Sequence, residues 1–177
     1  LVIKPLAEDS TPGTVKPVPV SLVEPVAYQV QLNPNFSEGL AVAGWVFADW
    51  GSYDEALALH IKAASADAAW KWPLGRTYAL MGRKDEARRI TAELVGRSPG
   101  AMDQWGLAVI YATLREVDEA FRWLESARKS RFSWMPWVFD FSRRNPDLFT
   151  PLRNAARFTE ITRRIGVPAR YSQGFGK

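Results

Sequence analysis

At 177 residues, 47% of them apolar and eight of them tryptophan, the chain has length for one domain with an appendage and material for a packed core. The absence of cysteine excludes disulfides and thiolate-held metals, and the single histidine, His60, argues against a histidine metal cluster or a Ser-His-Asp triad. Net charge is +4 but uneven: residues 1–114 carry 10 basic and 12 acidic groups, residues 115–177 carry 13 and 7.

Residues 1–24 hold Pro5, Pro12, Pro17 and Pro19 with Gly13 between them, which favours an extended or polyproline II segment and excludes a continuous helix. This segment is either a linker or a strand of chain that fills a groove of the same molecule. Pro25 to Leu32 alternates like a strand at Val26, Tyr28, Val30 and Leu32, yet Pro25 suits a helix first turn; the reading adopted is a short helix. Six helices follow in pairs, over residues 37–50 and 53–66, 69–81 and 85–96, and 101–114 and 117–129. The longest uninterrupted apolar run, Leu40 to Ala48, is too short to span a bilayer, and no signal peptide is visible. The chain opens on Leu1 rather than Met, so a fragment or processed form, with an anchor or domain upstream, is one expectation.

The helix pairs share a pattern. Asp-Glu-Ala occurs at 54–56, 85–87 and 118–120, with the alanines 31 and then 33 residues apart. In the middle copy Leu74, Gly75, Tyr78 and Met81 form one apolar stripe at helical spacing. Gly75 inside a helix costs about 1 kcal/mol against alanine, which points to another helix passing close by. Gly82 ends that helix, and Asp85 and Glu86 suit the first turn of the next. In the first copy Ala43-Gly44, Phe47 and Gly51 hold the corresponding places, and Ser52 with Glu55 makes a capping box. In the third copy Leu107-Ala108, Tyr111 and Ala120 correspond, but Arg115 stands where the turn glycine would be, so a less ideal turn is expected there.

After Lys129 the period fades. Trp134, Trp137, Val138 and Phe141 form an apolar stripe, Asn145-Pro146-Asp147 opens a short helical turn, and Ala155 to Ile165 predicts a last helix with Phe158, Ile161 and Ile165 on one face, ended by Gly166 and Pro168. Residues 129–170 thus predict helices that cap the repeats, and 171–177 a frayed tail.

Leu74-Gly75-x2-Tyr78, Ala87 and Pro99 resemble the tetratricopeptide repeat, whose signature runs W-x2-L-G-x2-Y, then A-x3-F, then P, over about 34 residues. The likeness spans roughly 34–128 and departs from the signature: Lys71 holds the Trp position, and His60, Thr91 and Leu124 hold the Phe position. It implies an all-α fold, a right-handed α-solenoid of helix-turn-helix repeats over 25–128 with a helical C-terminal cap. The stretch from Asn145 to Gly166 is also similar to the tail of bacterial repeat modules fused to nucleotide cyclases, protein kinases or winged-helix regulators. The resemblance further implies a concave groove lined by the first helix of each repeat. Its lining would be Glu38, Val42, Trp45 and Asp49, then Ala69, Trp72, Arg76 and Leu80, then Met102, Trp105 and Val109.

The implied function is non-catalytic binding of a protein or peptide, through an apolar or proline-containing segment with one acidic group for Arg76. No carboxylate clamp is expected, because Ala41, Trp45 and Trp72 stand where one family subgroup has lysine and asparagine. Two alternatives remain open: a sensory or regulatory module of a larger bacterial signalling or transcription regulator, and nucleic-acid association through the C-terminal arginines. A solvated helix face explains those arginines more simply. The expected chain is soluble, in a bacterial cytoplasm or periplasm, open to homo-oligomerisation, and without catalytic residues, metal or cofactor. The Asp-Glu pairs recur at helix starts and so read as helix-terminus residues rather than acid/base pairs, and no Gly-rich phosphate loop is present.

Overall fold

The computed structural model describes residues 36–135, Leu152 and residues 156–166. The segment 1–24 and its docking in a groove, the short helix over Pro25–Leu32, the Trp137–Phe141 stripe, the Asn145 turn and the tail lie outside them. Among the described residues the chain is all-α. The helices are α1 (Ser37–Asp49), α2 (Tyr53–Ala66), α3 (Trp72–Leu80), α4 (Lys84–Gly96), α5 (Ala101–Thr113), α6 (Val117–Lys129) and α7 (Ala156–Arg164), with a 3-10 turn at Ala68–Trp70. The chain divides into two compact units, Leu1–Trp70 and Lys71–Lys177. None of the described helices is long and apolar enough to cross a membrane.

Three short turns make hairpins of α1 and α2, α3 and α4, and α5 and α6, and each packs its two helices together. The turns are congruent. Gly51, Gly82 and Arg115 adopt φ of 83°, 75° and 64°. At each turn two amides bond back to the preceding helix: Gly51 to Ala48 O and Ser52 to Phe47 O (3.1 and 2.9 Å), Gly82 to Ala79 O and Arg83 to Tyr78 O (3.1 and 2.9 Å), Arg115 to Ala112 O and Glu116 to Tyr111 O (3.0 and 2.9 Å). This is the paired bonding of a left-handed helix C-terminus, which satisfies carbonyls the helix leaves open. The next residue repeats as well, with φ and ψ of −79° and 70° at Ser52, −81° and 67° at Arg83, and −88° and 76° at Glu116. Arg115 therefore forms the same turn as the glycines, at the steric cost of a Cβ in the left-handed region. The capping box does not form: Ser52 makes no side-chain cap bond. Ser52 also closes the preceding helix, and its ψ of 70° falls short of the extended conformation an N-cap side chain uses.

The second hairpin starts later than its sequence suggests. Residues Ala68–Trp70 form the 3-10 turn and α3 begins at Trp72, with Pro73 in its first turn. Proline disfavours helical backbone in the residue before it and brings no amide, so the helix cannot extend smoothly upstream.

In the first unit Ala41, Ala43, Ala56 and Ala63 are all fully buried between α1 and α2. His60 is buried with them, and its Nε2 donates to Ala41 O at 3.1 Å. A Cβ on Gly44 would stand 2.3 Å from that nitrogen, so the missing side chain makes room for the ring. In the second unit α3 packs against both α4 and α5. A Cβ on Gly75 would meet Ile110 Cδ1 at 2.7 Å and Ile90 Cγ2 at 2.9 Å, which is the close passage its place in the stripe predicted. A Cβ on Gly106 would meet Trp72 Cβ and Cγ at 2.3 Å.

Two pairs of substitutions test these origins of stability by urea denaturation. Gly82→Ala should cost about 1 kcal/mol through backbone conformation alone, since its Cβ meets nothing within 4 Å, whereas Arg115→Gly should raise stability by a few tenths to about 1 kcal/mol. Gly106→Ala should cost about 1–3 kcal/mol, because the atoms it strikes are the root of a rigid side chain, while Gly96→Ala at an open position of α4 should cost nothing.

Candidate partner-binding site

The α1 positions Glu38, Val42, Trp45 and Asp49 follow at i, i+4, i+7 and i+11, which places them on one helix face. The structure brings these four together. Glu38 and Asp49 are exposed, Val42 is 39% exposed, and Trp45 is half-buried with its ring tilted 59° and 6.4 Å from that of Trp70. The opposite side of α1, with Leu40, Ala41, Ala43, Phe47 and Ala48, is buried. Phe36 at 40% exposure precedes the helix.

The remaining positions stand differently. Trp72, Arg76 and Trp105 are wholly buried, Val109 is 2% exposed, and Leu80, Ala69 and Met102 are half-buried. The expectation of Trp72, Arg76, Trp105 and Val109 as solvent-facing lining is thereby corrected. The reason is packing: α3 has only nine residues, the run from Trp72 to Thr77 is buried, and Gly106 lets Trp72 lie directly on the α5 backbone. Arg76 has its own partners and is not presented to an acidic group from outside.

A second concave surface, which the sequence did not single out, lies between α6 and α7. It is a groove of about 650 Å³ with Phe121 of α6 and Ile161 of α7 in its lining. Its amphipathic helix α7 buries Phe158, Ile161 and Thr162 and ends at Gly166, whose φ is 80°. Arg157 bonds Asp118 at 2.5 Å and lies over the Phe121 ring at 4.6 Å; Arg164 bonds Glu160 at 2.6 Å and stands 3.8 Å from Glu125. Arg122 bonds Glu119 at 2.5 Å. Each of the groove's arginines thus has a carboxylate beside it. Bonds from Arg163 and then Arg164 hold the Glu160 carboxyl down at about 2, and the Arg128 guanidinium lowers that of Glu125. The α6 stripe at 118, 121, 122 and 125 was legible as helical spacing, but its meeting with α7 is a tertiary fact.

The segment after α6 folds back onto α5. Trp105, Phe132 and Trp134 stack in sequence at 6.1 and 6.0 Å between ring centres, and Gln104 bridges Pro99 O (3.0 Å) and Ser130 Oγ (2.8 Å). At Arg131, whose φ is 54°, the same pair of back-bonds recurs as at the three hairpin turns, from the Arg131 amide to Arg128 O and from the Phe132 amide to Ala127 O. Among the described residues no group of three or more His, Asp or Glu is placed to hold a metal ion.

Glu160 supplies a pH test. Its folded value of about 2 lies below the ordinary 4.5, so its contribution to stability is present above about pH 4.5 and is lost as pH falls towards 2. In Glu160→Gln the drop in Tm between about pH 5 and pH 2 should be shallower than in the wild type, with equal slopes above about pH 5.

No protein-family model matches the chain, and no curated protein matches it.

Proposed function

We propose that the chain is a helical-repeat scaffold of the tetratricopeptide kind, a right-handed solenoid whose work is to hold a segment of another protein, with no catalytic step of its own. The observation that carries this reading is the congruence of the three turns. One backbone geometry recurs at Gly51, Gly82 and Arg115, with an amide-carbonyl pair in each and an Asp-Glu-Ala start to the helix that follows. Packing of α3 on α5, first helix on first helix, is the contact by which such hairpins stack, and it supports the same reading.

The partner segment is taken by the α1 face, where Val42 and Trp45 offer apolar and aromatic surface at the helix spacing of four and seven. Aromatic residues carry a disproportionate share of binding energy, and an aromatic ring needs little ordering to make contact. Nucleic-acid association is the weaker reading. The described arginines of α6 and α7 are tied to carboxylates on the same helix or its neighbour, at Glu119, Glu125, Asp118 and Glu160. A phosphate backbone would have to displace those carboxylates before gaining the contact.

The test is a titration of the full chain with a panel of extended, proline-containing peptides, followed by calorimetry and tryptophan emission. Binding in the micromolar range is expected, with an emission change that disappears in Trp45→Phe. If no peptide produces heat or an emission change, or if the change persists in Trp45→Phe, the reading fails.

A further inference from the structure

We propose that α7 is a releasable strap, fastened to α6 by arginine side chains that span the groove between them, and that salt loosens it while the hairpins stay folded. Its release uncovers the Phe121 side of α6.

Two ways of joining helices stand side by side in the second unit. The hairpin helices meet directly. Helix α5 packs closely on α6, whose Ala120, Leu124 and Ala127 are no more than 1% exposed. Helix α7 makes no such approach to any described helix. Between it and α6 lies the groove of about 650 Å³, and arginines cross it. Arg157 bonds Asp118 at 2.5 Å and covers the Phe121 ring at 4.6 Å. Arg164 is held to Glu160 of its own helix at 2.6 Å, which aims it at Glu125, 3.8 Å away. Under this cover Phe121 is 3% exposed. The two arginines stand seven residues apart on α7, as Asp118 and Glu125 do on α6. Seven residues make about two helical turns, so the pairs are two rungs between helices that run in the same direction.

The rungs lie at the surface. Arg157 is 57% exposed, Arg164 46% and Asp118 89%. Exposed pairs of this kind each contribute little and are screened by salt. A helix of nine residues is marginal by itself, so α7 keeps its form only while docked, and a small loss at the rungs is felt by the whole helix. Phe158 and Ile161 supply the apolar part of the dock, which screening leaves intact. Proteins open locally at free energies from near zero up to that of global unfolding. Helix α7 belongs at the low end of that range, and α5 and α6 belong at the high end.

The experiment is amide hydrogen exchange of the full chain at neutral pH, in sodium chloride at about 0.05 M and about 1 M. The α7 amides should exchange about 3- to 10-fold faster at the higher salt, while those of α5 stay within about twofold. Asp118→Asn/Glu125→Gln removes both rungs and alters no residue of α7. In that variant the α7 amides should exchange at low salt as fast as the wild type does at high salt, and their salt response should fall below about twofold. An α7 rate that ignores salt in the wild type overturns the proposal. So does an equal response of α5 and α7, since α7 then opens only with the whole unit. A salt response that survives the double substitution overturns it too, because salt is then acting on the pairs within α7. Loss of α5 protection in the variant at low salt overturns the claim that the rungs hold α7 alone.

Discussion

Trp72 lies against the backbone of α5 because residue 106 has no side chain, and the second unit is arranged around that contact. With a Cβ at 106 the indole would have to move as a whole, since the atoms in the way are its Cβ and Cγ. The approach it permits buries the run from Trp72 to Thr77, Arg76 included. Gly75 serves the same end on another face of α3, where Ile90 and Ile110 close over it. A nine-residue helix has little intrinsic stability in water, so α3 depends on being enclosed by α4 and α5. In the first unit Gly44 plays the matching part for His60, whose hydrogen bond to Ala41 O satisfies a polar ring within an apolar crossing rich in alanine.

The hairpins were legible because their signals are local. The Asp-Glu-Ala triplets fix where the second helices begin, and Gly51 and Gly82 mark residues that take a left-handed backbone. At the third turn Arg115 adopts φ 64° without glycine's freedom, which is the less ideal turn its sequence implied. Its neighbours decide the matter: the carbonyls of Tyr111 and Ala112 are there to be satisfied, and the amides of Glu116 and Arg115 satisfy them. Ser52 was misjudged, and the reason is again the turn. A residue that closes one helix with its amide has a backbone set by that duty, so its side chain does not also cap the next.

The candidate site was legible only on α1. Period places Glu38, Val42, Trp45 and Asp49 on one face, and the structure leaves that face largely exposed. The same period places Trp72, Arg76 and Trp105 on the corresponding faces of α3 and α5, and there it says nothing about depth. Whether a face is open depends on how closely the next helix approaches, and that is set by single residues such as Gly106. The groove between α6 and α7 escaped for a similar reason. Its arginines read as part of a charge excess in sequence, while in the structure each of them has a carboxylate beside it, at Asp118, Glu119, Glu125 or Glu160.

That pairing bears on how the molecule is seen from a distance. An arginine bonded to a carboxylate is a dipole, and its field fades faster than that of a lone charge, while salt screens what remains beyond about 8 Å. The described arginines of α6 and α7 therefore project less potential than the same number of lone charges would. Residues 36–70, by composition, carry five carboxylates and one lysine. Diffusing molecules are guided by uncompensated charge, and the pull they feel fades as salt screens it.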